Sequence, residues 1–175
     1  MTQPNISPEP SMTPPPGIIH PDAHSNELQL AFLCTVSLET APAQAIGENP
    51  HGNRQIVPVT GGHFSGPRLT GKVLPGGDWV LRRPDGVSEL DGRLTWQMDD
   101  GALLYVTYQG YRAKISPVLP RWMAAEPIPA EEYYHMVTLR FEASAPQYAW
   151  LEQVVVIGRG SLVLGGVSYH VFAVR

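Results

Sequence analysis

The chain is poor in cysteine and in charge. Its one cysteine, Cys34, excludes an internal disulfide framework and fits a reducing, cytoplasmic compartment. Charged side chains make up 16 % of the 175 residues and the formal net charge is −4. No basic surface of the kind that attracts nucleic acid or an anionic membrane is expected from that balance. Nowhere does an apolar run approach the roughly 20 residues of a membrane span, and the first residues lack the basic-then-apolar order of a secretory signal. There is no phosphate loop, dinucleotide fingerprint, HExxH or CxxC pair. The HFSG stretch at 63–66 is not a nucleophile elbow, which needs Gly-x-Ser-x-Gly between a strand and a helix. His20 and His24 are four apart, a metal-friendly spacing only on a helix, but Pro21 disfavours that helix and no third ligand is near. Nucleotide, zinc and redox-cofactor enzymes are therefore disfavoured; the expectation is no cofactor and no metal.

Proline (18) and glycine (17) are plentiful. Residues 1–26 carry Pro4, Pro8, Pro10, Pro14, Pro15, Pro16 and Pro21 and almost no apolar periodicity, the composition of a flexible arm. A single domain is expected over 27–175. Its cleanest strand is 27–39, where Leu28, Leu30, Phe32, Cys34, Val36 and Leu38 fall on one side, the period-two mark of one buried face. Cys34 then reads as a buried, inert thiol. Residues 40–58 read as a loop or mixed segment. The glycine-punctuated block 61–110 follows, with strands expected near 64–74, 78–83, 87–97 and 102–109. Its Pro-Gly-Gly, Pro-Asp-Gly and Asp-Asp-Gly tripeptides suit tight reversals. Prolines 117, 120, 127 and 129 predict a crossing loop with one short helical turn over 111–132. Strands are expected again at 133–143 and from 154, closing with a hairpin at 162–174. About eight or nine strands with hairpin links make an all-β, antiparallel fold, a closed barrel or a sandwich; closure removes the edge strands.

The segments GGHFSGPRLTGKVLPGGDW (61–79), LDGRLTWQMDDGALLYVTYQG (90–110) and YHMVTLRFEASAPQYAWLE (134–152) resemble the domain-of-unknown-function 3237 family of small β-barrel proteins. The resemblance covers most of the chain after Glu27. It implies an antiparallel β-barrel, lipocalin-like or allene-oxide-cyclase-like, and brings no generally assigned activity. The family pattern resembles Tyr-Phe-Arg-Thr where this chain has Tyr134-His135-Met136-Val137, and Trp-Leu-Asn where it has Trp150-Leu151-Glu152. If the absent Arg and Asn line a site, this chain binds something else or has rebuilt the site around His135 and Glu152.

Alternation also nominates site residues. Asp91, Arg93 and Thr95 share one face against Leu90, Leu94 and Trp96; Thr138, Arg140 and Glu142 share one face against Leu139 and Phe141. Either these polar faces are solvated, with weak cross-strand charge pairs, or they line the lumen, where Arg and carboxylate must pair. Tyr105 lies on the face of Leu103 and Thr107, with Tyr108 opposite; inside a barrel its hydroxyl needs a partner such as Asp91. Trp79 and Trp150 either fill the core or stack on a ligand, Tyr148 joining Trp150 at one end. His63 and His135 suit acid–base work near neutral pH. The expectation is a small-molecule-binding barrel, cofactor-independent, of lyase, isomerase or cyclase type, on an apolar oxygenated organic substrate. Asp91, Tyr105 and His135 would move protons, Arg93 or Arg140 would hold developing negative charge, and Trp79, Glu142 and Trp150 would complete the substrate site. The alternatives are a non-catalytic carrier or sensor and an assembly module. The partner expected is a small organic ligand, with no nucleic acid and no membrane; a homo-oligomer is compatible with the sequence.

Overall fold

A computed structural model describes residues 28–124, 126–163 and 166–175; the arm expected over 1–26 lies outside the described residues. Among the described residues nine strands form one antiparallel sheet: β1 (Leu30–Thr40), β2 (Gln44–Asn49), β3 (Gly52–Ser65), β4 (Gly71–Arg82), β5 (Ser88–Met98), β6 (Leu103–Ala113), β7 (Tyr134–Ala143), β8 (Val156–Val163) and β9 (Gly166–Val174). Their order is β1-β9-β8-β7-β6-β5-β4-β3-β2, and β1 also pairs with β3. That extra pairing closes eight strands into a barrel and leaves β2 as a ninth strand, paired with the first part of β3 along the same edge that β1 takes further on. A helix, α1 (Ile115–Met123), follows β6, and a 3-10 helix, Pro146–Gln153, follows β7.

Alternation puts one face of each strand inside. On β5 the buried residues are Ser88, Leu90, Gly92, Leu94, Trp96 and Met98; on β7 they are His135, Val137, Leu139 and Phe141. One end of the lumen is filled solidly. Phe64 stacks on Trp96 with ring centroids 4.4 Å apart, and Phe141 meets Trp96 edge-on at 5.5 Å. Such a stack adds to what the buried area alone contributes.

Two bulges break the parity the sequence suggests. The β1–β9 register shifts between Phe32 and Cys34, because an inserted residue sends the side chains before it to the other face. Leu28, Leu30 and Phe32 therefore lie outside, where Phe32 packs on Phe172 at 5.5 Å, while Leu33, Cys34, Val36 and Leu38 are buried. The expectation of one continuous buried face over 27–39 is corrected in its first half. On β4 the register shifts between Leu74 and Gly77. The Pro75-Gly76-Gly77 tripeptide, read as a reversal, is a bulge inside one strand, and the expected strand over 64–74 is instead the end of β3, a turn, and the start of β4. Residues 40–58, read as loop or mixed, hold β2 and the first half of β3. The period is hidden there because β3 up to Pro58 is half-buried along most of its length. The loop expected over 111–132 carries the end of β6 and all of α1. The Asp-Asp-Gly hairpin joins β5 to β6 as read, with Gly101 at φ 88°.

Candidate active site

Beyond the Trp96 stack the same strands enclose a cavity of about 290 Å³. Its walls are largely apolar, with Leu38, Val57, Val59, Val80, Leu90 and Val167, and one side is polar, with Asp78, Tyr108, Arg112, His135 and Tyr169; Trp122 of α1 also lines it. This is near the lower end of the size range for small-molecule sites.

Each polar side chain is placed by a local feature of its strand. Asp78 follows the β4 bulge; counting by two from buried Val73 without the bulge would aim Trp79 inward and Asp78 outward. Bulges beside active sites commonly re-aim a side chain in this way. Tyr108 shares the inner face of β6 with Leu104 and Val106, and it pairs across β5 with Gly92. A Cβ on Gly92 would overlap the Tyr108 ring, so only glycine leaves that space. His135 stands opposite Arg112 in the β6–β7 ladder, and its ring occupies the place where a Cβ on Gly160 would be. Arg82 Nη2 donates to Ser116 Oγ at 3.0 Å, tying α1 to β4.

The polar groups are connected. The Asp91 backbone N–H donates to Asp78 Oδ1 at 3.0 Å, and Tyr108 lines the same cavity on the side of that carboxyl. His135 Nε2 and the Tyr169 hydroxyl are 2.9 Å apart. Among the described residues, three buried nitrogens lining the cavity find no hydrogen-bond partner: Arg112 Nε, Trp122 Nε1 and His135 Nδ1. Burial holds the Asp78 carboxyl above the ordinary carboxylate range, against the Asp91 amide, Tyr108 and Arg112, which favour the anion. Burial first, and the Arg112 cation second, push His135 down to about 3, so its imidazole is neutral at ordinary pH. Tyr108 and Tyr169 are both pushed well up by burial and stay protonated. The arrangement offers a carboxyl whose proton is exchangeable nearer neutrality, two hydroxyls, a neutral imidazole and a fixed cation around one apolar space. Among the described residues no group of three His, Cys, Asp or Glu side chains comes together as a metal set.

Of the residues nominated from sequence, His135 faces this cavity, 3 % exposed. The others lie elsewhere. Asp91 and Arg93 are on the outer face of β5, ion-paired at 3.1 Å with side chains 36 % and 46 % exposed. Tyr105 is 40 % exposed on the outside of β6, and Arg140 and Glu142 are exposed on the outside of β7. The apolar faces of these strands took the lumen, and their charged faces stayed in water, where charge costs least. Trp79 points outward beneath the Arg93 guanidinium, 5.2 Å from the ring centroid. Trp150 sits in the 3-10 helix, packed against the core with Arg68 4.8 Å above its ring. His63 is exposed. Glu152 Oε1 accepts the Ala143 N–H at 2.8 Å and Met136 is on the outer face of β7, so neither of these touches the cavity; of the departures from the family pattern, His135 is the one that lines it. Trp79, Asp91 and Met136 instead border an open groove of about 680 Å³ on the outside, where water competes for every polar group. Asp78, Tyr108, Arg112, Tyr169 and Trp122, which line the cavity, are not among the residues the alternation nominates. Period two from Leu104 and Val106 reaches Tyr108 and Arg112, and paired glycines inside a strand-like run are a bulge signal that would have turned Asp78 inward.

A family model described as "protein of unknown function (DUF3237)" matches residues 27–174. A UPF0311 protein of Rhodopseudomonas palustris (strain TIE-1) is 33 % identical over 132 residues, which is 75 % of this chain and 86 % of that protein. The crystal structure of a β-barrel-like protein from Acinetobacter baumannii superposes with a TM-score of 0.74 at 32 % identity, covering 94 % of this chain and 99 % of that one. A hydroalkoxylation enzyme of Penicillium herquei, phnH, is 27 % identical over 129 residues, 74 % of this chain and 72 % of that protein. No helix among the described residues is long and apolar enough to cross a membrane.

Proposed function

Because the chain belongs to the DUF3237 family, whose barrel it shares, we propose that it is a cofactor-independent enzyme acting by proton transfer on an apolar oxygenated compound held in the barrel cavity. The observation that carries this is the convergence of Asp78, Tyr108, His135 and Tyr169 on one largely apolar space. The hydroalkoxylation activity of the fungal relative supports a reaction class within the lyase, isomerase and cyclase group. Hydroalkoxylation adds an O–H across a carbon–carbon double bond; intramolecularly it closes a ring and isomerises the compound. The hydroxyl gives up its proton as the C–O bond forms, and the other alkene carbon takes a proton, so nothing is oxidised or reduced.

Asp78 is assigned the proton exchange, because a carboxyl raised toward neutrality serves as acid and as base. Tyr108 orients it and relays its proton. His135, neutral and partnered by Tyr169, accepts or donates a hydrogen bond without carrying charge. The apolar walls exclude water that would compete for the same carbon. The ligand is thus a small organic molecule, and the single buried thiol fits a cytoplasmic setting.

The test is turnover of 2-allylphenols and unsaturated alcohols in D₂O, followed by NMR. Ring closure with deuterium on carbon is expected, lowered by about 10²–10⁴-fold in Asp78→Asn, the usual share of general acid–base catalysis. A ligand bound tightly and recovered unchanged would favour a carrier. Wild-type rates in both Asp78→Asn and Tyr108→Phe would remove the proposal.

A further inference from the structure

Counting donors and acceptors around the cavity leaves an imbalance. Asp78 takes the Asp91 amide and lies beside the Tyr108 hydroxyl, and Tyr169 is engaged with His135 Nε2. What remains unpartnered is chiefly donors. Arg112 Nε and Trp122 Nε1 are both buried with no acceptor, and neither group can accept a hydrogen bond in any protonation state. Arg112 also brings a permanent charge. The ion pairs formed by Arg83, Arg93, Arg121 and Arg159 lie on the surface and do not include it. The one carboxyl lining the same cavity, Asp78, is biased by burial toward its neutral form. Arg112 as a whole is half-buried, so the cost falls on single groups: a buried N–H facing nothing, at Arg112 Nε or at the Trp122 indole, is costly.

We infer that the compound this cavity takes carries an anionic oxygen on its apolar frame, a carboxylate or a phenolate, seated on the Arg112 side chain and the indole N–H of Trp122. This rests on the reading of the cavity as the ligand site and adds the chemical class of the ligand. Arg112 supplies the charge and Trp122, carried by α1, supplies a second donor. The remainder of the ligand lies against Leu38, Val59, Val80 and Leu90. A neutral carboxamide offers one acceptor oxygen in place of two, turns its NH₂ donors toward the other protein donor, and leaves the Arg112 charge unanswered, which is the kind of mismatch that discriminates between otherwise similar ligands.

Titration calorimetry with unreactive probes separates this from any question of turnover. 2-Naphthoate is expected to bind at least tenfold more tightly than 2-naphthamide. 4-Nitrophenol, read on either side of its own ionisation, tests the phenolate source and is expected to bind more tightly as the anion. Arg112→Gln should abolish the preference for the anion, and Trp122→Phe should reduce it several-fold while circular dichroism stays that of the wild type. Should Arg112→Gln fail to fold, the wild-type comparison and Trp122→Phe still decide. Equal binding of acid and amide together with equal binding of both nitrophenol forms, no binding by any probe, or a preference that survives in folded Arg112→Gln would overturn the inference. A preference for only one of the two anions supports it and identifies the source.

Discussion

At neutral pH a carboxylate in the place of Asp78 is held against its own desolvation, and the protein is less stable for it. The sign follows from the raised folded-state pKa: the native state holds the proton more tightly, so stability falls as pH rises from the unfolded value of 3.8 through the folded value. Asp78→Asn keeps the oxygen that accepts the Asp91 amide and removes the charge. It should be more stable than wild type at pH 7 by about 0.5–2 kcal/mol, the usual size of a released functional strain, and catalytically poor. Urea unfolding beside the turnover assay checks both halves; a less stable Asp78→Asn would mean that the carboxylate is structural. His135 runs the other way. Its folded value near 3 lies below the ordinary 6.5, so the unfolded state takes up the proton first. Stability is lost as pH falls from 6.5 toward 3, by up to about 1.4 kcal/mol per pH unit. His135→Gln, which can still reach Tyr169, should flatten that acid limb, seen as a smaller loss between pH 7 and pH 4.5 than in wild type.

Within the elements, glycine decides which rings enter the lumen. Gly92 gives its space to Tyr108, so Gly92→Ala should cost about 1–3 kcal/mol, the usual cost of overpacking. Tyr108→Leu in the same chain should recover part of that loss, and a double-mutant cycle reads the coupling directly. Additive losses would show that the two do not compete for one volume. The same scale explains what could be read in advance. The faces of β5, β6 and β7 are legible because period two runs unbroken through them, and the hairpin at Asp99-Asp100-Gly101 is announced by its residues. The parity of β1 and β4 is not, because a bulge adds one residue without changing the composition on either side, and the same glycines serve a bulge or a turn. That ambiguity displaced the candidate site from Asp78 to Asp91. The histidine was legible because Val137, Leu139 and Phe141 fix its face; the outer charges of Arg93, Arg140 and Glu142 were assigned chemistry that the apolar filling of the barrel denies them.

For the whole molecule, closure rests on β1, which pairs with β3 on one side and β9 on the other. Cys34 lies on its inner face with no exposed surface, and burial pushes its thiol up to about 12. Reaction with an aromatic disulfide reagent should therefore be silent in native protein and should track global unfolding as urea is raised, because no local movement frees that thiol while both neighbours remain paired. Fast labelling in native buffer would show that the seam opens alone. The seam also brings two distant positions together: the Gln29 N–H donates to the Arg175 carbonyl at 3.0 Å and the Arg175 N–H to the Gln29 carbonyl at 2.8 Å. In space the strands make a ring with no privileged starting point. A gene rearranged to begin at Gly101 and end at Asp100, with a short linker carrying Arg175 into Leu28, would encode the same circle cut elsewhere.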